Sequence, residues 1–427
     1  MTHTPPPTKR LSRLLRLAEV GARSGGALLY QRGADAAARR AADVLGNLRG
    51  LAAKVGQMAS YVDGFVPEAQ RETYQRALTR LQAAAPRSSP EVARELVERE
   101  LGSPIEALFV RWEAEPFASA SIGQVHRAVL HDGRAVAVKV QHPGIEAAVE
   151  SDLSNIGLLE GLVSGLGPKS LNARAVYEVI RERFREELDY RLEASQLSFF
   201  ANLHRGDGQI HIPPVVESHS SQRVLTTELA SGMTLDEAAL SDERLRIEFA
   251  RTLWRFVFKG NLVGGRFNAD PHPGNYLFHA DGRVTFLDFG CVQVLEPGHV
   301  THARDAHWAA IRRDEPGFRR HVAALLGTRG GSYEHTALGY SRHCFEPIFA
   351  APFRIDRAYV TELADWIGVL KGQMFAKDGS FVQLPPNMMF LNRLQFGFYS
   401  VLARLDVSVD YAAVEREFLP MTAAARG

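Results

Sequence analysis

The stretch that decides the fold reads Asn268-Ala269-Asp270-Pro271-His272-Pro273-Gly274-Asn275, continues through Tyr276-Leu277-Phe278-His279-Ala280-Asp281-Gly282, and closes with Arg283-Val284-Thr285-Phe286-Leu287-Asp288-Phe289-Gly290. Residues 275–279 and 283–287 predict two short strands, and the Asp-Gly between them predicts their turn. Ahead of the hairpin, two prolines and a glycine hold a loop without helical structure. That loop sets Asp270 five positions before Asn275, and the second strand delivers Asp288 beside a glycine. A carboxylate and an amide oxygen are the hard donors that magnesium takes, which leaves the other carboxylate to accept a proton from a hydroxyl. Taken singly, Asp-x-x-x-x-Asn is also a Pro-rich turn, and Asp-Phe-Gly is common by chance. Their order across one hairpin is what carries meaning.

Working outward, two further signals precede this stretch. Residues 124–130 and 134–141 flank His131-Asp132-Gly133, a hairpin signature, and the second run contains Val136-Ala137-Val138-Lys139. Lysine is scarce in this chain, seven of its 50 basic residues, and one near a strand end can reach the α- and β-phosphates of a nucleotide. Residues 223–229 predict a strand running into Ser231-Gly232, where an adenine would pair with backbone around Glu228 and Ala230. Lys139, hinge, Asp270 with Asn275, then Asp288 is the order of a kinase-type nucleotide site. The expected fold is α+β, two-lobed and protein-kinase-like: an N-terminal helical extension over residues 1–95, an N-lobe with inserted helices over 96–230, and a helical C-lobe over 231–427. Asp270 and Lys139 are the expected catalytic residues. Asn275 and Asp288 are the expected metal ligands, with ATP or ADP and Mg2+ as cofactors.

Composition is compatible with this and excludes other classes. Hydrophobic residues make up 45% and charged residues 23% of 427, enough for a packed core. The net charge of +1 gives no footprint for nucleic acid. Two cysteines, Cys291 and Cys344, allow no disulfide framework and suit a reducing, cytoplasmic setting. No stretch reaches the roughly 18–20 apolar residues of a spanning helix. Leu11, Leu14, Leu15 and Ala18 recur at helical spacing among Arg10, Arg13 and Arg16. That basic amphipathic helix would either rest peripherally on an anionic membrane or dock on the main body. His126, His272 and His279 lack tight metal-ligand spacing, and the prolines around His272 suit a rigid turn.

Several motifs resemble the UbiB/AarF (ADCK-type) family of atypical kinase-like ATPases, over residues from about 40 to 415. Lys54-Val55-Gly56-Gln57 looks like that family's Lys-x-Gly-Gln motif. Pro116 through His126, containing Ala118-Ser119-Ala120-Ser121, resembles its alanine-rich nucleotide loop, where typical kinases place glycines. Glu187-Leu188-Asp189 resembles its Glu-x-Asp motif, and Glu193 resembles the helix glutamate that orients the strand lysine. Leu384-Pro385-Pro386 and Asn392-Arg393 also resemble family sequence. The resemblance implies nucleotide contacts from Ala118, Ser119, Ala120, Ser121, Lys139, Glu193, Glu228 and Ala230. It implies a regulatory set of Lys54, Gln57, Glu187 and Asp189, with Lys54 on the acidic pair. On residue types alone, Glu187, Asp189 and Glu193 among Arg181, Arg183, Arg185 and Arg191 also read as a solvated charged helix face. The family commonly has His where Asn268 stands, which would weaken a local bond.

Ala269 replaces the arginine that often precedes the catalytic Asp, and no Ala-Pro-Glu follows Gly290. There is thus no sign of a phosphorylation-controlled activation loop or a peptide platform. The expectation is an ATPase or small-molecule phosphotransferase supporting isoprenoid-quinone or lipid metabolism. Its partners would be an adenine nucleotide, a quinone or lipid ligand and a peripheral membrane contact. The alternative is a nucleotide-gated binding or chaperone-like protein without useful phosphoryl transfer.

Overall fold

The computed structural model describes residues 88–120, 122–147, 178, 181–183, 185–373, 378–382 and 397–420. The expected helices before residue 84, the motif at Lys54 and Gln57, Ser121, and the motifs at 384–386 and 392–393 lie outside the described residues.

In chain order, α1 (Pro90–Leu101) and α2 (Ile105–Leu108) lead into β1 (Arg111–Trp112), β2 (Ala118–Ser119), β3 (Gly123–Val129) and β4 (Ala135–Gln141). Then come α3 (Tyr190–Leu203), β5 (Ile210–His211), β6 (Val224–Glu228), α4 (Leu235–Ala238), α5 (Glu243–Leu262) and β7 (Arg266–Asn268). The hairpin β8 (Tyr276–Phe278) and β9 (Val284–Phe286) precedes β10 (Val292–Val294). Helices α6 (Pro297–Ile311), α7 (Glu315–Leu326), α8 (Gly331–Cys344), α9 (Glu346–Phe349) and α10 (Arg357–Gly372) follow. The helix α11 (Tyr399–Leu405) and the short α12 (Tyr411–Arg416) close the described chain.

The chain divides into two compact units. Among the described residues, one holds those up to 147, those from 178 to Asp189, and Val216–Thr226; the other holds Tyr190–Val215 and those from Thr227 on. The first unit is built on an antiparallel sheet. β3 pairs β4 in register from Gly123↔Gln141 to Val129↔Ala135, with β1 and β2 on the other edge of β3. One face of this sheet is apolar because alternate residues face inward. Val136, Val138 and Val140 are fully buried, in one cluster with Leu96 and Val97 of α1. Helix α1 begins where Ser89 accepts the Val92 N–H, and it stops at Gly102 in the left-handed conformation.

The second unit is mainly helical, with α5 through its centre. Trp254 is fully buried, its indole N–H donating 3.0 Å to Glu415 of α12, and Phe249 packs edge-on to Phe278 of β8. The residues over 234–262 form two helices, α4 and α5. Thr234 and Glu237 make a capping box, and Asp242 caps the second helix through the Leu245 N–H. The Asp242 cap restarts the helix after a four-residue break, a signal the periodic apolar pattern hides. No helix among the described residues is long and apolar enough to cross a membrane.

Candidate active site

In the second unit, the loop from Asn268 to Asn275 is assembled by its own polar groups. Strand β7 pairs antiparallel with β10, Asn268 opposite Val292, and the Ala269 N–H donates to the Cys291 carbonyl at 2.8 Å. Ala269 is fully buried there, which is why the position takes a small side chain in place of an arginine. Asn268 then joins both carboxylate segments. Its amide nitrogen donates to the Asp288 carbonyl, and its oxygen accepts the Asp270 N–H at 3.0 Å. Asn at this position, where the family commonly has His, thus supplies a donor and an acceptor together.

Asp270 and Asn275 meet across the loop. The Asn275 amide nitrogen lies 3.0 Å from the Asp270 carbonyl and 3.4 Å from its carboxylate. With its nitrogen used on Asp270, Asn275 keeps its oxygen as the end suited to a hard cation. Between them, His272 Nδ1 accepts the Gly274 N–H and caps a 3-10 turn over Pro273–Asn275. His272 is a turn cap, and His279 bonds Thr285 through Nε2 at 2.8 Å. Among the described residues no group of three or more His, Cys, Asp or Glu is arranged to hold a metal ion, so any magnesium here would rely on the mixed carboxylate and amide oxygens. The Asn275 carbonyl accepts the Leu287 N–H at 3.0 Å, tying the loop to the strand that carries Asp288. The hydroxyl of Tyr276, buried behind the loop, is held protonated by that burial and, second, by the Asp270 charge.

Asp288 turns back on its own loop: one carboxylate oxygen accepts the Gly290 N–H at 2.9 Å. Helix α3 brings Glu193 to the same place. A Cβ added at Gly290 would lie 3.3 Å from an Asp288 carboxylate oxygen and 3.7 Å from one of Glu193. Glu193 is buried, 6% exposed, so the charged-face reading does not describe it. Seven residues further along α3, Phe200 meets Phe289 with ring centroids 5.1 Å apart, and Phe256 of α5 packs on both. Arg266 fastens the same helix, donating to Gln196 at 2.8 Å and lying over the Phe199 ring. Helix α3 can come this close to α5 because residue 260 is glycine: a Cβ there would sit 2.9 Å from the Phe200 ring.

One supporting residue escaped the sequence reading. Gly397, in the turn entering α11, backs Pro271, and a Cβ at 397 would fall 2.4 Å from the proline ring. Nothing local marks this glycine, because its partner lies 126 positions earlier in the chain.

In the first unit, Lys139 of β4 stands opposite Val125, and Val125 stands opposite Ala118 on its other side. Ala118, Val125 and Lys139 thus form one row across three strands and share a face. Lys139 is about two strand spacings, roughly 9–10 Å, from Ala118. Ser119 pairs with Gln124, and the Ala120 and Gly123 backbones close the hairpin tip with mutual bonds of 2.9 and 3.4 Å. Glu187 is buried in this unit, and the segment Glu187–Asp189 is tied to β4 by Gln141, whose amide donates to the Leu188 carbonyl at 2.8 Å. Strand β6, the expected hinge, ends in the second unit at Glu228, whose side chain is exposed and whose N–H donates to the Pro214 carbonyl at 3.1 Å; Ala230 follows half-buried.

Residues 80–322 match the family model of the ABC1 atypical kinase-like domain. The chain is 34% identical over 306 residues to the mitochondrial atypical kinase COQ8B of Rattus norvegicus, covering 70% of this chain and 57% of that protein. It is 34% identical over 282 residues to the chloroplastic protein ACTIVITY OF BC1 COMPLEX KINASE 1 of Arabidopsis thaliana, covering 65% of this chain and 41% of that one. The chain therefore spans about half the length of these curated relatives. Among solved structures, it resembles Rv3197 of Mycobacterium tuberculosis in its complex with erythromycin, with a TM-score of 0.63 and 26% identity, over 95% of this chain and 97% of the other.

Proposed function

Because the chain belongs to the ABC1 atypical kinase-like family, we propose that it is an ATP- and magnesium-dependent ATPase or small-molecule phosphotransferase that supports isoprenoid-quinone or lipid metabolism and does not phosphorylate proteins. The kinase-like fold and the family membership are the premise. The observation that carries the reading is the loop in which Asn268 holds the Asp270 and Asp288 segments together while Asn275 bonds Asp270. The donors offered, the Asp288 carboxylate and the Asn275 amide oxygen, have the hard-oxygen chemistry of a magnesium site. Magnesium bound there would neutralise charge on the phosphates.

The other roles follow from residue chemistry. Asp270 accepts the proton of a hydroxyl or orients a water. Lys139 presents its ammonium to the α- and β-phosphates, with Glu193 as the orienting carboxylate. Ala118, Ser119, Ala120 and Ser121 cover the phosphates, and the backbone about Glu228 and Ala230 takes the adenine. Lys54 and Gln57 act with Glu187 and Asp189 to regulate access. A quinone or lipid ligand comes from the family resemblance and from the lack of a peptide platform after Gly290.

The test is phosphate release by the purified full chain, with and without quinone-like lipid. Thermal shift with MgADP or MgATP should exceed that with nucleotide alone. Asp288→Asn should abolish the magnesium-dependent part of the shift. A full shift in that variant overturns the metal assignment, and no lipid effect on release would remove the lipid arm.

A further inference from the structure

Buried polar side chains stand behind the nucleotide hairpin of the first unit, in a core otherwise made of aliphatic residues and Phe109. Gln124 is 1% exposed and His126 is fully buried, on the face of β3 that packs with Val136, Val138 and Val140. Burying such groups costs free energy unless each is satisfied. Here they are satisfied in one direction only.

The direction starts at a backbone carbonyl. His126 Nδ1 lies 2.9 Å from the Glu113 carbonyl oxygen. A carbonyl oxygen only accepts, so Nδ1 carries the hydrogen. Burial pushes the imidazole pKa down, which keeps the ring neutral, and Nε2 must then accept. Its partner at 3.0 Å is the Gln124 amide nitrogen, which donates. The Gln124 oxygen is thereby turned outward, where it accepts the Ser88 N–H at 3.1 Å. Trp112 stacks on the imidazole at 4.6 Å between centroids and holds its plane. No member can be reversed without breaking the bond on each side.

The outer end of this relay meets the hairpin root. Gln124 is the residue opposite Ser119. Ser88 also bonds His142 through its hydroxyl, at 2.8 Å to Nδ1. The backbone N–H of that same His142 donates to the Ile122 carbonyl at 2.9 Å, just inside the hairpin tip. Ser88 therefore grips β3 through Gln124 and the chain beyond β4 through His142, and the hairpin springs from between them.

We propose that Gln124 is a positioning residue for the nucleotide hairpin: its amide, oriented by His126, locks the hairpin root to the chain at Ser88, and nucleotide affinity depends on that lock. The inference rests on the nucleotide-binding reading of this hairpin. A typical kinase loop closes with the freedom of glycine backbone. Here Ala118, Ser119 and Ala120 stand in that role, and their geometry is set from behind. A stability role does not account for the relay, because apolar residues of matching volume could fill the same space at little cost.

The experiment uses the full chain, MgADP as probe, and three variants. Gln124→Met keeps length and removes both bonds. Ser88→Ala keeps the N–H to Gln124 and removes only the hydroxyl. Val138→Ala is a core control: it removes packing opposite His126 and none of the relay's hydrogen bonds. Gln124→Met should weaken MgADP binding about 5- to 50-fold, the size of a buried hydrogen-bond defect. It should leave the maximal rate of phosphate release within about twofold and accelerate amide exchange at Ala120 and Gly123. Ser88→Ala should do the same to a smaller degree, and Val138→Ala should lower the melting temperature without either effect. Unchanged affinity in Gln124→Met overturns the proposal. So does an equal loss of affinity in Val138→Ala at matched stability. If the unaltered protein binds no MgADP, the nucleotide reading fails, and slow exchange persisting in Gln124→Met would show that the lock is absent as well.

Discussion

The two loops that carry the expected chemistry, one in each compact unit, are made rigid in opposite ways. The loop from Asn268 to Gly290 holds itself. Its prolines restrict backbone torsions, Asn268 bonds forward to Asp270 and to Asp288, and Asn275 bonds back to Asp270. The hairpin from Ala118 to Gln124 is instead held from outside, by a buried Gln–His pair and by a serine 36 residues before its glutamine. A self-bonded loop can be read from a short window of sequence. One held by remote groups cannot. Both arrangements nevertheless fix polar groups in advance, so that little ordering entropy would be lost if a ligand bound.

The strongest way to sharpen this comparison is to change chemistry without geometry. Asp270→Asn keeps size and the Asp270 N–H to Asn268, so nucleotide binding should survive while turnover falls about 10²-fold or more. Steady-state phosphate release with parallel calorimetry checks it, and unchanged turnover would move the chemistry elsewhere or favour a nucleotide switch without phosphoryl transfer. Next, Asn268→Leu breaks the self-held loop as Gln124→Met breaks the tied one. It strands a backbone donor and a backbone acceptor, so unfolding free energy should fall by about 1–3 kcal/mol. Turnover should fall with it, because both carboxylate segments lose their tie. Asn268→His, the residue the family commonly carries, should recover most of the loss; a variant as damaged as Asn268→Leu would show that the two-sided bond is not what matters.

The smallest effect concerns the wall behind Phe289. His204 is buried between Phe200 and Phe256, with ring centroids 6.5 and 5.1 Å away, and its pKa is lowered to about 3 by burial and by the neighbouring Lys259, against the partial help of Asp207. Arg255, which bonds Asp207, adds to the lowering. The folded protein thus keeps this ring neutral, while the unfolded chain takes up a proton near the ordinary histidine value. Stability from this group is level above about pH 7 and is lost as pH falls from about 6.5 toward 3, by at most about 1.4 kcal/mol per pH unit. Denaturant midpoints measured between pH 7.5 and 5 should therefore slope less in His204→Phe than in the unaltered protein. Equal slopes would mean that other groups carry the acid sensitivity.

Much of the candidate site was legible in the residues themselves. Strands around His131-Asp132-Gly133 and around Asp281-Gly282 appear within a residue or two of their expected ends, since turn chemistry and alternation are local signals. The approach of Glu193 to Asp288 was not legible: the family resemblance marks Glu193 only as the partner of the strand lysine, and 95 residues separate it from Asp288. Gly397 against Pro271 and the relay behind Gln124 were not legible. A glycine chosen to avoid a proline ring looks like any other glycine, and a buried glutamine looks like a surface one.

What the sequence determined by itself was the order and type of the chemical groups: a lysine on a strand, an Asp-x-x-x-x-Asn loop and an Asp-Phe-Gly turn. Those depend on residue identity and short spacing, which are present in the covalent chain. Tertiary structure alone decided which way each polar group points. The tautomer of His126, the orientation of the Gln124 amide and the two-sided use of Asn268 are set by partners that folding brings within 3 Å or so. Hydrogen-bond direction is a property of pairs, and a pair exists only once both members have been carried to the same place.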